Sequence, residues 1–490
     1  MANLKSLAKD TAIYGLSSII GRFLNYLLVP LYTATLAAST GGYGVITEIY
    51  SYVAVLLVLL TFGMETTFFR FVNKAGEDAR TVYSTTLIAV GGVGLGFVAL
   101  VFALLGPLSV ALGYASHPEY VWMMAVCVAI DAFQCIPFAY LRFQKRPLKF
   151  AALKLLFIAL NITLNLVFFL LLPAISGGRF GIHVGYTFAI NLFCTSVITF
   201  CFRRELTGFP WRFDKALFRR MLAYSWPILV LGICGILNQT ADKMIFPRIV
   251  AGAEGKVQLG IYGASVKIAM IMAMITQAFR YAYEPFVFAG AKEQDHRATY
   301  ARAMKFFLIF TLLAFLVVIG YLDILKYIIA PDYWPGLKAV PVVMVAEILM
   351  GVYFNLSFWY KLTDRTIWGA WFSGIGCIVL VTVNIVFIPT FGFMACAWAG
   401  VAGYGTAMLL SYIFGQKYYP IRYPLGSIFV YVGITAFFYA VMTAGKQYID
   451  NSWLRLGLNT ACIAAFVLHV CYHDLPIGDI LAKLSRRRSH

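Results

Sequence analysis

Charged and amide side chains set inside long apolar runs are the residues of this 490-residue sequence best able to do chemistry. The first run carries Thr11, Ser18, Arg22 and Asn25. At about 100° per residue these fall within roughly 60° of one another on a helix, a single polar stripe with Arg22 near mid-run. Another run repeats the pattern with Lys154, Asn161 and Asn165. A third holds Asn238, Gln239, Asp242 and Lys243, and the next holds Lys267, Gln277, Arg280 and Glu284. A base in an apolar medium is costly enough that it usually faces an internal cavity, where it attracts an anion. The candidate anion-binding cations are therefore Arg22, Lys267, Arg280 and Lys154. Ser18, Asn25, Asn161, Asn165, Asn238 and Gln277 would line the same cavity. Acids in or beside the runs are candidates for holding a coupling ion, H+ or Na+: Glu48, Asp131, Asp242, Glu284 and Glu347, with Glu65 at an edge. Nothing in their spacing singles one out.

Plainer roles compete for several of these residues. Lys154, near the end of its run, could extend its ammonium to water. Arg280 and Glu284 stand at i,i+4 and could form an ordinary helix ion pair, and Asp242 and Lys243 could be solvated at a boundary. Arg22 and Lys267 have no acid three or four residues away, so the cavity role fits them best. Lys267 and Arg280, thirteen residues apart, lie about 220° apart on a straight helix and cannot both face one cavity unless the helix bends. Enzyme chemistry finds little here. The nine cysteines form no CxxC, the six histidines no HExxH, and no nucleophile–base constellation appears. His469 and His473 share a helix face but are read as structural, so no metal and no cofactor is expected.

The elements that carry these residues follow from composition. Hydrophobic residues make up 61% of the chain and charged residues 12%, against about 45–50% and about 25% in soluble domains. That balance excludes an ordinary soluble enzyme, a disordered chain and a disulfide scaffold, and predicts an all-α polytopic membrane protein. About 20 apolar residues span a bilayer as a helix. Runs of that length predict about fourteen spans, near 10–35, 43–68, 82–112, 119–141, 148–173, 181–202, 221–247, 259–288, 305–328, 338–360, 366–388, 392–415, 424–445 and 453–473. The N-terminal stretch looks superficially like a signal peptide but lacks a cleavage site, and is read as the first span.

The net charge of +18 is distributed by side rather than evenly. Alternate connections hold 27 Lys and Arg, and the opposite set only 7. Basic loops stay cytoplasmic, which places both termini there and agrees with an even span count. The most basic connection contains Arg203, Arg204, Arg212, Lys215, Arg219 and Arg220. It divides the chain into a six-helix lobe at 1–202, a linker at 203–220, a second lobe at 221–415, and a final helix pair with a basic tail at 416–490. An internal repeat supports two lobes. Asn165 and Asn384 each open an apolar run followed by Pro and a Gly-rich turn, and Tyr43 and Leu259 each open a Gly-start helix after a Pro step.

Two segments carry a family resemblance. GRFLNYLLVPLYTATL with the following GGYGVITEIYSYVAVLLVLLTFGMETTFFRF, and GIYGASVKIAMIMAMITQAFRYAYEPFVF, resemble the matching helices of Wzx-type polysaccharide flippases. That family shares a superfamily with MurJ-type lipid II flippases and MATE drug exporters. The resemblance implies a bacterial inner-membrane protein that moves an undecaprenyl-pyrophosphate-linked oligosaccharide between leaflets by alternating access. Two lobes would enclose a cationic cavity, with Arg22, Lys267 and Arg280 at positions of cavity bases and Arg70 in a structural cytoplasmic role. An ion gradient or the membrane potential would drive transport, and polysaccharide polymerase machinery would be a partner. A MATE-like ion-coupled drug or metabolite antiporter is the alternative. A membrane polymerase or ligase fits less well, because every outward loop is short.

Overall fold

The computed structural model describes residues 26–474 except 75, 178, 208, 291–295 and 364, and leaves aside the side chains of 280–290 and 296. Arg22, Ser18 and Asn25 lie outside the described residues, as do the side chains of Arg280 and Glu284.

The described chain is helical throughout, as a bilayer requires when no water is present to satisfy backbone groups. In chain order the principal helices are α1 (Leu28–Thr35), α2 (Gly42–Thr61), α3 (Met64–Val72), α4 (Ala79–Ala103), α5 (Pro118–Phe143), α6 (Pro147–Leu166) and α7 (Gly185–Cys201). They continue with α8 (Lys215–Ile249), α9 (Gly252–Gly290), α10 (His296–Gly320), α11 (Val340–Leu356), α12 (Ile367–Phe391), α13 (Phe393–Tyr418), α14 (Leu425–Tyr448) and α15 (Ser452–His473). Among the described residues twelve helical segments are long and apolar enough to cross a membrane, and α7 is a shorter apolar helix of 17 residues. The chain is a multi-pass, mostly α-helical membrane protein. Most of the first expected span, 10–35, lies outside the described residues.

Local chemistry sets the boundaries. Asp78 caps α4 by accepting from the Thr81 amide at 2.9 Å. Asp214 caps α8 by accepting from the Ala216 and Leu217 amides at 2.9 Å. That cap starts α8 inside the expected 203–220 linker, six residues before the expected span. Pro118 and Pro147 begin α5 and α6, where a missing amide hydrogen costs nothing. Gly63, at φ +67°, lets the chain break between α2 and α3. The expected span 82–112 divides at Leu104, and a short helix, Leu105–Ala111, follows. Intramembrane hydroxyls bond back to the preceding turn, as Thr47 does to the Tyr43 carbonyl at 2.8 Å.

Packing places the candidate residues. Helix α2 lies against α5, α8 and α9; α5 against α4 and α7; and α6 against α7. Helices α8, α12 and α13 pack together, α11 packs on α9 and α13, and α10 carries α14 and α15. At the base of that last group Asp474 accepts from both Lys305 and Tyr431.

Candidate functional site

Three polar centres interrupt the apolar packing. The first joins α5, α6 and α7. Asp131 accepts from the Thr195 hydroxyl at 3.1 Å, with Cys127 Sγ 3.9 Å from its other oxygen. Gln134, on the same face, donates to the Thr195 carbonyl and the Thr199 hydroxyl, both at 2.8 Å. Lys154 holds its Nζ 4.0 Å from the centroid of the Phe138 ring, a cation–π contact, within electrostatic reach of Asp131. Further along α6, fully buried Asn165 accepts from the Tyr32 hydroxyl at 2.7 Å and donates to the Asn161 carbonyl at 2.8 Å.

The second centre joins α8, α9, α11, α12 and α13. Asn238 donates to the Cys234 and Ser373 carbonyls at 3.0 Å, and its own backbone carbonyl accepts from the Tyr404 hydroxyl at 3.2 Å. Its side-chain Oδ1 is buried with no partner among the described residues. One turn on, buried Asp242 pairs with Lys243 at 2.9 Å and accepts from the Tyr262 hydroxyl at 3.0 Å. This pair is packed, not solvated. Glu347 on α11 has a buried Oε2 that also lacks a partner among the described residues. Lys267 on α9 is half-buried and makes no hydrogen bond or ion pair among the described residues. The two bases of this centre, Lys243 and Lys267, are equalled in number by its acids, Asp242 and Glu347, but only Lys243 and Asp242 are paired with each other among the described residues.

The third centre holds two helix ends together. Glu48 on α2, 1% exposed, accepts from the Tyr114 hydroxyl at 2.6 Å. Burial first, and the Glu48 carboxylate second, hold the Tyr114 phenol well above its ordinary range, so it remains the donor. Arg248 at the end of α8 reaches Tyr52 at 3.0 Å and the Ala111 carbonyl. Lys256 on α9 reaches the Gly113 carbonyl at 3.3 Å and lies over the Tyr114 ring at 4.1 Å. Beneath these contacts α2 and α9 touch backbone to backbone. A Cβ on Gly44 would meet the Lys256 carbonyl oxygen at 1.9 Å, and one on Gly260 would meet the Gly44 nitrogen at 2.9 Å. The Tyr333 hydroxyl adds a bond to the Leu36 carbonyl at 2.6 Å.

Beside the second centre runs an apolar groove of about 690 Å³ between α10, α11, α13 and α14, walled by Leu308, Phe315, Val345, Trp398, Phe429 and Tyr439 among others.

A family model described as "Polysaccharide biosynthesis protein" matches residues 7–282, more than half of the chain. The chain belongs to that family. No curated protein matches it significantly. Among solved structures it is similar to a lipid II flippase MurJ in an inward closed conformation, at TM-score 0.73 and 12% identity over 94% of this chain and 98% of that one. It is also similar to an inward-facing multidrug resistance MATE family transporter of the MOP superfamily, at TM-score 0.63 and 15% identity over 80% of this chain and 93% of that one. The MATE multidrug transporter DinF-BH gives TM-score 0.61 and 17% identity over 84% of this chain and 95% of that one. The chain thus shares its fold with these MurJ and MATE structures.

Within this family member, the candidate residues divide by centre. Lys154, Asn161, Asn165 and Asp131 fall along the first, and Asn238, Asp242, Glu347 and Lys267 in the second. Glu48 belongs to the third, held by Tyr114. Gln277 lies nearly three turns beyond Lys267 on α9 and has partners of its own. Arg70 lies over the Tyr224 ring at 3.9 Å, joining α3 to α8. Sequence reasoning did not single out Tyr114, Tyr52, Arg248, Lys256, Gln134 or Tyr404. The one available signal was the pair of Gly-start segments at Tyr43 and Leu259. They read as a repeat, and they pack against each other.

Proposed function

We propose that the protein is a flippase that moves a polyprenyl-pyrophosphate-linked oligosaccharide across the bacterial inner membrane by alternating access. The observation that carries this reading is Lys267, a half-buried cation in mid-helix with no hydrogen bond or ion pair among the described residues. An unpaired base in low dielectric favours an anion strongly, and a pyrophosphate brings that charge. Arg22, Arg280 and Lys154 would extend the cationic path. The apolar groove along α10, α11, α13 and α14 would take the polyprenyl chain. In this reading 1–202 and 221–415 are the two lobes, 203–220 joins them, 416–490 supplies the last helix pair, and both termini are cytoplasmic. The Glu48–Tyr114 and Arg248 contacts then close the outer end, with α2 and α9 as the lobes' facing edges. One of Asp131, Asp242, Glu284 or Glu347 would carry H+ or Na+ coupling, and the polymerase machinery would receive the product.

A second reading, ion-coupled export of a cationic drug, draws on the buried, unpartnered Oε2 of Glu347. One experiment separates the two. In a host lacking its own flippase, expression should restore surface polysaccharide and leave drug sensitivity unchanged. Drug resistance without polysaccharide would overturn the flippase reading.

A further inference from the structure

A second cavity, of about 490 Å³, opens at the end of α7, under the short helix Arg203–Thr207. Its walls divide by chemistry. Ile130, Phe200 and Leu206 are apolar, and Phe200 is 71% exposed on the flank. The polar wall is Ser196, Thr199, Thr207 and Arg203. The hydroxyl hydrogens are already committed, since Ser196 donates to the Leu192 carbonyl at 2.8 Å, Thr207 to the Arg203 carbonyl at 2.7 Å and Thr199 to the Thr195 carbonyl at 3.0 Å. Among the described residues, the free donors of the cavity are those of the exposed Arg203 guanidinium.

The surrounding charge is uncancelled because each nearby acid is occupied. Glu205, on the same short helix but buried, takes Lys149 at 2.6 Å and Arg146 at 3.8 Å. Asp214 caps α8, and Glu77 takes Arg220 at 2.6 Å. Arg203, Arg204, Arg212, Lys215 and Arg219 are exposed, with no ion pair among the described residues. Trp211, 56% exposed, stands beside them, a residue type favoured at head-group depth. Because apolar α7 ends here, the cavity sits where head groups meet acyl chains.

We propose that this cavity binds an anionic phospholipid, its phosphodiester on Arg203 and its acyl chains along Phe200, Ile130 and Leu206. A free phosphate has no use for the apolar wall, and a zwitterionic lipid lacks the net charge that the five bases attract. The site involves none of the cargo-path residues, so it stands apart from the flippase reading.

The test is native mass spectrometry of the full chain, exchanged into mixed micelles holding equal phosphatidylglycerol and phosphatidylcholine. Wild type should retain phosphatidylglycerol preferentially. Each base near an anionic surface contributes enough for about a fivefold change, so Arg203→Ala should lower retention about fivefold. Arg203→Ala with Arg204→Ala should lower it about 30-fold, and Arg203→Lys should keep most of it. Equal retention of the two lipids by wild type would overturn the proposal. So would an unaffected Arg203→Ala variant, an equal loss on Lys417→Ala in the distant α13, or full displacement by millimolar inorganic phosphate.

Discussion

Replacing Gly44 by alanine should part α2 and α9, which pack backbone to backbone at this point. The added methyl would sit 1.9 Å from the Lys256 carbonyl oxygen and 2.8 Å from its carbon, where ordinary contact begins at 3.4 Å. Neither atom belongs to a side chain that can rotate away, so α2 and α9 must part by about 1.5 Å at this point. Overpacking of this kind costs about 1–3 kcal/mol. Alanine also favours the helix itself, by up to about 1 kcal/mol, but that gain applies whether α2 and α9 touch or not and cancels from the equilibrium. At about 1.4 kcal/mol per factor of ten, the closed population should fall by roughly 5- to 150-fold relative to the open one. Spin labels at exposed Ser116 and Ala253, in a cysteine-free background, would report the change by electron–electron distance. Wild type should give one short distance, and Gly44→Ala should add a longer one. Gly92→Ala, whose methyl would meet nothing within 4 Å, should match wild type. An unchanged distance distribution in folded Gly44→Ala would refute the argument that this contact holds the two helices together.

Three further outcomes are expected. Asp78→Ala should lower stability by about 1 kcal/mol at neutral pH through loss of the α4 cap, read by thermal unfolding in detergent. The Thr81 hydroxyl and amide hold the Asp78 carboxyl below its usual range, so this contribution is full above about pH 4 and the two proteins should converge only as pH falls below it. Glu205→Ala should destabilise by about 1.5–3 kcal/mol because it removes the charge-assisted hydrogen bonds that Lys149 makes to it. Glu119→Ala, which loses only an exposed contact to His117, should cost under about 1 kcal/mol. Reporter fusions after Arg80, Arg220, Lys305 and Arg488 should signal cytoplasm, and those near Ser116, Ala253 and Asp332 the outer side; inversion at two positions would refute the proposed orientation.

The spans were readable because hydrocarbon imposes a minimum apolar length, and each expected run within the described residues contains a helix, though 82–112, 305–328 and 338–360 each divide into more than one. Boundaries were less so where a local group decided them, as the Asp214 cap did for α8 and Leu104 for the end of α4. Buried Asn165 and Asn384 were flagged by position in a repeat, and both donate to the preceding turn, to the Asn161 and Leu380 carbonyls. What no run length or helical wheel could supply is partnership across distance. Glu48 looked like any other intramembrane acid until Tyr114, 66 residues away, was placed on it. Lys154 looked free to reach water, but the Phe138 ring lies 4.0 Å from its Nζ. Glycine spacing at 44 and 260 reads equally as duplication or as a contact, and only the packed helices distinguish the two.

The central claim is that Lys267, unpaired in the second centre among the described residues, holds an anionic lipid head group. Its most direct measurement is the rate at which purified protein in proteoliposomes translocates a polyprenyl-pyrophosphate-linked oligosaccharide. Lys267→Ala should lower that rate about 10- to 100-fold, the equivalent of one charge-assisted contact of about 1.5–3 kcal/mol. Lys267→Arg should retain much of it, and Lys417→Ala all of it. A wild-type rate in well-folded Lys267→Ala would contradict the account.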